Sequence, residues 1–198
     1  MTDTTDVINH LLGTVPGSTA DGLRSRRPVT KENAQKTWDA LFAPGNTSDV
    51  TVAERFAVAA FVAALHGDQA IAGFYADKLH GVEKGPALRQ TIAALGELAA
   101  GQGPYGRYPD GPLTPENKEG PTLVIPEADR AVLGDRLAAA LGHAHLLVFH
   151  PRDASPAALQ QLLSAGWSTT GVVTLSQLVS FLAFQIRVVA GLKVLAAA

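Results

Sequence analysis

From Thr169 onward the chain is written for one structure, a long α-helix. Val172, Leu175, Val179, Leu182, Ile186 and Val189 recur at alternating steps of three and four residues, the spacing of a helix-packing seam. Phe181, Phe184 and Val188 add apolar surface on other sides, so this helix has to be enclosed by neighbouring helices or by another subunit. It is not written as a bilayer span, because Ser176, Gln177, Ser180, Gln185, Arg187 and Lys193 interrupt the apolar run too often.

The remainder reads as helical too. Ala and Leu dominate, β-branched alternation is scarce, and apolar residues keep helical spacing, which sets the fold class as all-α. A short first helix is expected over Asp6 to Leu12. After a Gly/Pro/Arg-rich connection, VTKENAQKTWDALFAPG offers Thr30 as an N-cap and an apolar face at Ala34, Trp38, Leu41 and Phe42, with a Pro-Gly stop. The next helix starts near Thr51, sets Val52, Phe56, Ala59, Ala60 and Ala63 on one face and ends at Gly67, where Asp68 caps its successor. Another covers about Pro86 to Ala99. A helix with Pro126 at its start must end by His150, ahead of Pro151. SPAALQQLLSAGW reads as a compact helix capped by Ser155, with Leu159, Leu162 and Leu163 inward and Gly166 as its stop.

Between these runs, Gly101 to Pro121 collects five Gly and five Pro, which suits neither regular element and is long for a routine connection. The expected organisation is therefore a helical half over 1–100, a connector over 101–125 and a second helical half over 126–198, the two halves sharing one core in a single structural unit.

Composition narrows function more than fold. The chain of 198 residues contains no cysteine, which removes disulfides, thiolate zinc sites, iron–sulfur clusters and every sulfur nucleophile. The formal net charge is −2 and the Lys and Arg residues are scattered, so the basic footprint that a phosphate backbone requires is missing and nucleic acid is not an expected partner. The first residues, MTDTTDVINH, are acidic and polar where a secretory signal would be basic and then apolar, giving a cytoplasmic, non-membrane expectation.

The last third, RDASPAALQQLLSAGWSTTGVVTLSQLVSFLAFQIRVVAGLKVL, resembles the C-terminal half of the peroxidase-related branch of the AhpD and carboxymuconolactone decarboxylase superfamily. The likeness is carried by Gly166, Trp167 and Ser168 at a helix end, by the paired Phe181 and Phe184, and by Arg187, Val188, Ala190, Gly191 and Leu192 in the closing pattern, with Val189 where the shorter pattern has alanine. It extends to ERFAVAAFVAALHGDQAIAGFYADKL in the first half. The resemblance implies an AhpD-like helical fold. In active AhpD-like proteins the first region carries a glutamate, a Cys-x-x-Cys pair and a histidine, which together reduce a hydroperoxide. Aligned on Gly67, Asp68 and Ile71 take the sulfur positions, Tyr75 stands at the histidine, Phe56 at the usual glutamate and Glu54 at a neighbouring acid. Anchored on Glu54 instead, the reading shifts to His66, Gln69 and Gly73. Neither register restores a thiol, so a cysteine-dependent peroxidase cycle cannot run on this chain alone.

Glu54, His66, Asp68 and Tyr75 are the candidate catalytic residues, read as gathering around the joint between two helices as a proton-transfer pocket. Each also has a plain structural reading, as first-turn acid, helix-end cation, N-cap and core aromatic. Tyr105, Arg107 and Tyr108 are candidates to close over a ligand by stacking and anion recognition, and Arg187 either pairs with an acid of another helix or subunit or binds an anion. His143 and His145 lie two residues apart and cannot share one ion, although His143 and His150 could share a helix face; no metal or other cofactor is expected.

Three functional expectations follow. The first is a member of the peroxidase-related group that has lost thiol-dependent alkylhydroperoxidase chemistry and binds a small organic molecule or a protein partner, assembled as a homo-oligomer. The second is a cysteine-independent acid–base enzyme of decarboxylase or lactone-acting type, since that side of the superfamily works without sulfur. The third is a structural subunit of a complex with a cysteine-bearing relative from the carboxymuconolactone decarboxylase group.

Overall fold

A computed structural model describes residues 6–197, and among them it contains nine α-helices and no strand: the fold is all-α. The helices are α1 (Val7–Leu12), α2 (Thr19–Ser25), α3 (Pro28–Phe42), α4 (Val52–Leu65), α5 (Gln69–His80), α6 (Gly85–Leu98), α7 (Glu127–Phe149), α8 (Pro156–Ser164) and α9 (Thr169–Ala197).

Helix α4 is the axis of the molecule. Every residue from Glu54 to Ala63 is buried, because α5, α6, α7 and α9 pack around it. The one-sided face expected from the sequence is thus replaced by burial all round, which the run of Ala and Val permits by letting neighbours approach closely. At Gly96 on α6, a Cβ atom would stand 2.6 Å from the Ala64 Cβ, so this crossing needs glycine. Buried residues of both sequence halves belong to one cluster that runs from Val7 to Val189.

Local signals placed most helix ends. Thr51 and Glu54 form a reciprocal capping box at the start of α4, Asp68 accepts the Ile71 N–H at the start of α5, and Ser155 does the same for Ala158 at α8. Four expectations need correction. The Gly/Pro/Arg-rich connection contains α2, capped by Ser18. Helix α3 begins at Pro28 rather than after Thr30, since proline fits the first helical position, where its missing N–H costs nothing. Helix α7 bends at Gly134, whose φ of 73° and ψ of 160° interrupt the helical path. In α8 only Leu162 is buried, while Leu159 and Leu163 are 43% and 41% exposed.

The connector doubles back and docks on the end of α7. Gly106 and Lys118 pair as an antiparallel bridge, a short 3-10 turn spans Thr114–Glu116, and the Tyr105 N–H donates to the Phe149 carbonyl at 2.5 Å. The Tyr105 ring covers Gly120, where any Cβ would overlap it. Both ring nitrogens of His150 are held, Nδ1 by the Asp153 carboxylate at 2.9 Å and Nε2 by the Pro121 carbonyl at 2.8 Å.

Helices α7 and α9 are long and apolar enough to cross a membrane by length and composition, with mean hydropathies of 1.2 and 1.8 in their most apolar windows. Half of the α7 window is buried in the fold, against 39% for α9.

Candidate functional site

The four candidate catalytic residues divide between separate places. Glu54 and His66 sit near opposite ends of α4, so at 1.5 Å per residue about 18 Å of helix separates them. A single proton-transfer pocket at the joint cannot include both, and the expected gathering of all four is corrected on that ground.

Glu54 belongs to a clamp. Its Oε2 accepts from the Thr51 N–H at 2.7 Å and the Thr51 hydroxyl at 2.9 Å, while Oε1 accepts from Arg136 Nε at 2.6 Å. The remaining guanidinium nitrogens of Arg136 donate to the Gly166 carbonyl at 2.5 Å and the Asp49 carbonyl at 2.6 Å. Its plane lies 4.0 Å over the Trp167 ring, whose Nε1 donates back to the Arg136 carbonyl at 2.9 Å. The Ser168 hydroxyl closes the circuit on Asp49. Two turns of sequence far from one another, 49–54 and 166–168, are thereby tied to α7 just past its bend, and both oxygens of the carboxylate accept hydrogen bonds. Arg136 had no signal of its own in the sequence, because one arginine on a mixed helix looks like any solvated charge.

At the joint, Asp68 caps α5 through the Ile71 N–H at 2.9 Å, and His66 Nδ1 meets the Val62 carbonyl at 2.9 Å. Burial lowers the His66 pKa; the Val62 carbonyl partly offsets this, and the positive charge of nearby Arg187 adds to the lowering. Arg187 itself is exposed and donates to the Ala183 carbonyl of its own helix at 3.0 Å; among the described residues it pairs with no carboxylate. Tyr75 is fully buried, with its hydroxyl donating to Gln185 Oε1 at 2.7 Å and its ring stacked on Phe42 at 5.1 Å. Burial pushes that phenol well above the ordinary tyrosine range, so it remains a neutral hydrogen-bond donor rather than a base.

A cavity of about 480 Å³ does lie beside the joint, between α4, α5 and α6. Gln69, Gly73, Arg89 and Glu97 line it with alanines, and none of Glu54, His66, Asp68 or Tyr75 does.

The connector residues turn inward on their own segment. Tyr105 is buried against Phe149 and His150, the exposed Arg107 pairs with Glu119 at 2.6 Å, and the Arg152 guanidinium lies 4.3 Å over the Tyr108 ring. Each of the three thus has a partner within the fold, Tyr105 in the interior and Arg107 at the surface. The expected sharing of a face by His143 and His150 also gives way, because α7 ends at Phe149 and His150 leaves the helical phase. His143 instead meets the Ser176 hydroxyl at 3.2 Å, and His145 stacks on His150 with ring centres 5.9 Å apart. Burial, with help from the neighbouring His150, pulls the His145 pKa down to about 4.

A larger opening lies elsewhere. A groove of about 1180 Å³ runs between α3 and α9, floored by Ala34, Leu41, Val172 and Phe181 and flanked by the exposed Val29, Val173 and Phe184. A smaller apolar cavity of about 290 Å³ continues it past Phe184 toward Val188, Leu192 and Leu195, with Arg27 and Lys31 at its rim. This surface can exclude water from an apolar partner; it presents no acid–base pair. Comparison with protein-family models, with curated proteins and with solved structures finds no match to this chain.

Proposed function

We propose that this chain is a cysteine-free member of the AhpD-like, peroxidase-related group that works by recognition rather than by redox or acid–base chemistry. The observation that carries this reading is a division of labour: the ionisable residues at the positions matching the family's motif are engaged in holding helices together, whereas the large opening is apolar. Glu54 is closed by Arg136 and Thr51, Asp68 by the start of α5, and Tyr75 by Gln185. The groove between α3 and α9 supplies the surface for a partner, with the apolar area that binding to a protein or a lipophilic molecule requires.

The test is an assay of the purified protein with an organic hydroperoxide and a dithiol reductant. No turnover above the uncatalysed rate is expected; robust turnover without added metal or helper protein would reject the reading. A lactone-acid panel run in parallel should likewise show no activity, and a rate that responds to Asp68→Asn would favour the acid–base alternative.

A further inference from the structure

Helix α9 carries two stripes, and only one of them is finished. The inner stripe, from Val172 to Val189, is buried throughout. The outer one steps from Val173 through Gln177, Ser180, Phe184, Val188 and Gly191 to Leu195, and apart from the half-buried Val188 all of these are exposed. Its intervals read the same in both directions about Phe184. Three large apolar side chains on it, Val173, Phe184 and Leu195, are 53%, 40% and 59% exposed, spaced along the stripe between smaller and polar residues.

We infer that a second copy of this chain covers the outer stripe, with α9 packed antiparallel on the partner's α9 and the two-fold axis passing beside Phe184; this rests on the recognition reading above. The side-chain sizes select this pairing. Around Phe184, antiparallel packing sets Val173 on the partner's Leu195, Gln177 on the partner's Gly191 and Ser180 on the partner's Val188, so that a large residue meets a small one in both inner layers. A parallel pair would instead place glycine on glycine and serine on serine, leaving voids, and would set two glutamines against each other.

The α3 helix supports the same geometry. Its Val29, Asn33 and Ala40 line the groove beside α9, so the partner's α9 would rest on both helices and two α3–α9 pairs would close into a four-helix bundle. Val29 on α3, 68% exposed, extends the uncovered apolar surface from α9 across the groove.

The absence of cysteine makes this directly testable in the full chain. Sedimentation at micromolar concentration should give a dimer, and Phe184→Glu should give a monomer with unchanged helical circular dichroism. Under mild oxidation Phe184→Cys should cross-link to its own copy. Val173→Cys should not, because the two copies of that position lie about 33 Å apart along the axis, but it should cross-link when mixed with Leu195→Cys. A monomeric wild type, or self-cross-linking of Val173→Cys, would overturn the inference. A monomer that bound phosphatidylcholine vesicles or an apolar dye through the groove would also overturn it while leaving the recognition reading standing. Hydroperoxide turnover would strike that reading itself, whatever the oligomer.

Discussion

The two ends of α4 carry charged residues in different ways. At its start, Glu54 sits within a closed set of hydrogen bonds that reaches three other segments, and one arginine serves a carboxylate, two carbonyls and an indole face. At its end, His66 and Asp68 each make one local hydrogen bond, within four residues of themselves, and lie next to the cavity between α4, α5 and α6. The buried end is architectural and long-range; the joint is local and open to adjustment. Sequence motifs cannot distinguish these cases, because an acid in a capping box has the same local pattern whether or not a distant arginine closes it.

The largest effect should come from the clamp. Arg136→Ala strands the buried Glu54 carboxylate and removes the stacking on Trp167, and should lower unfolding free energy by about 3 kcal/mol in a denaturant titration, toward the low end for a broken buried pair because the arginine is partly exposed. A change below about 0.5 kcal/mol, the size of an ordinary surface substitution, would place the clamp and the joint on equal footing. Tyr75→Phe comes next: it leaves the Gln185 oxygen without its donor and should cost about 1–2 kcal/mol, with much of that recovered when Gln185→Met is added. Asp68→Ala removes an N-cap and should cost about 1 kcal/mol, while Asp68→Asn should be nearly neutral because asparagine caps equally well.

The smallest effect is a pH dependence at the joint. Burial lowers the folded-state pKa of His66 below its unfolded value near 6.5, so in the interval between the two values the unfolded chain binds more protons. Stability should therefore be fully present above that interval and decline as pH falls through it. Chemical denaturation of wild type and His66→Gln at pH 7 and pH 5 should show a shallower decline in the variant, by less than about 1 kcal/mol for a partly exposed group. An unchanged slope would mean that the imidazole contributes nothing at this end.

Much of the fold was legible because its signals are local. Thr51, Asp68 and Ser155 announce helix starts by side-chain chemistry that acts within one turn, and Gly67 and Gly166 end helices by adopting φ values of 74° and 87°. Helix α2 was missed because its seven residues sit among Gly, Pro and Arg, too short a run for periodicity to emerge. The candidate site was less legible. Placing Glu54 and His66 at one joint ignored the axial length of the helix between them, and Arg136 and Gln185 act across separations of 82 and 110 residues that no local pattern encodes. The outer stripe of α9 was visible only as excess apolar surface; its exposure depends on how the other helices pack around α9.

The doubled-back connector has a consequence for how the chain can be divided. Its tip, from Pro109 to Leu113, is exposed, while the arms on either side are fastened to the end of α7 and the halves meet through a common interior. Covalent continuity at that tip contributes little beyond keeping the two pieces at high effective concentration. Cleavage there should leave a nicked particle that elutes as one species, and separately produced fragments 6–110 and 111–197 should reassemble when mixed.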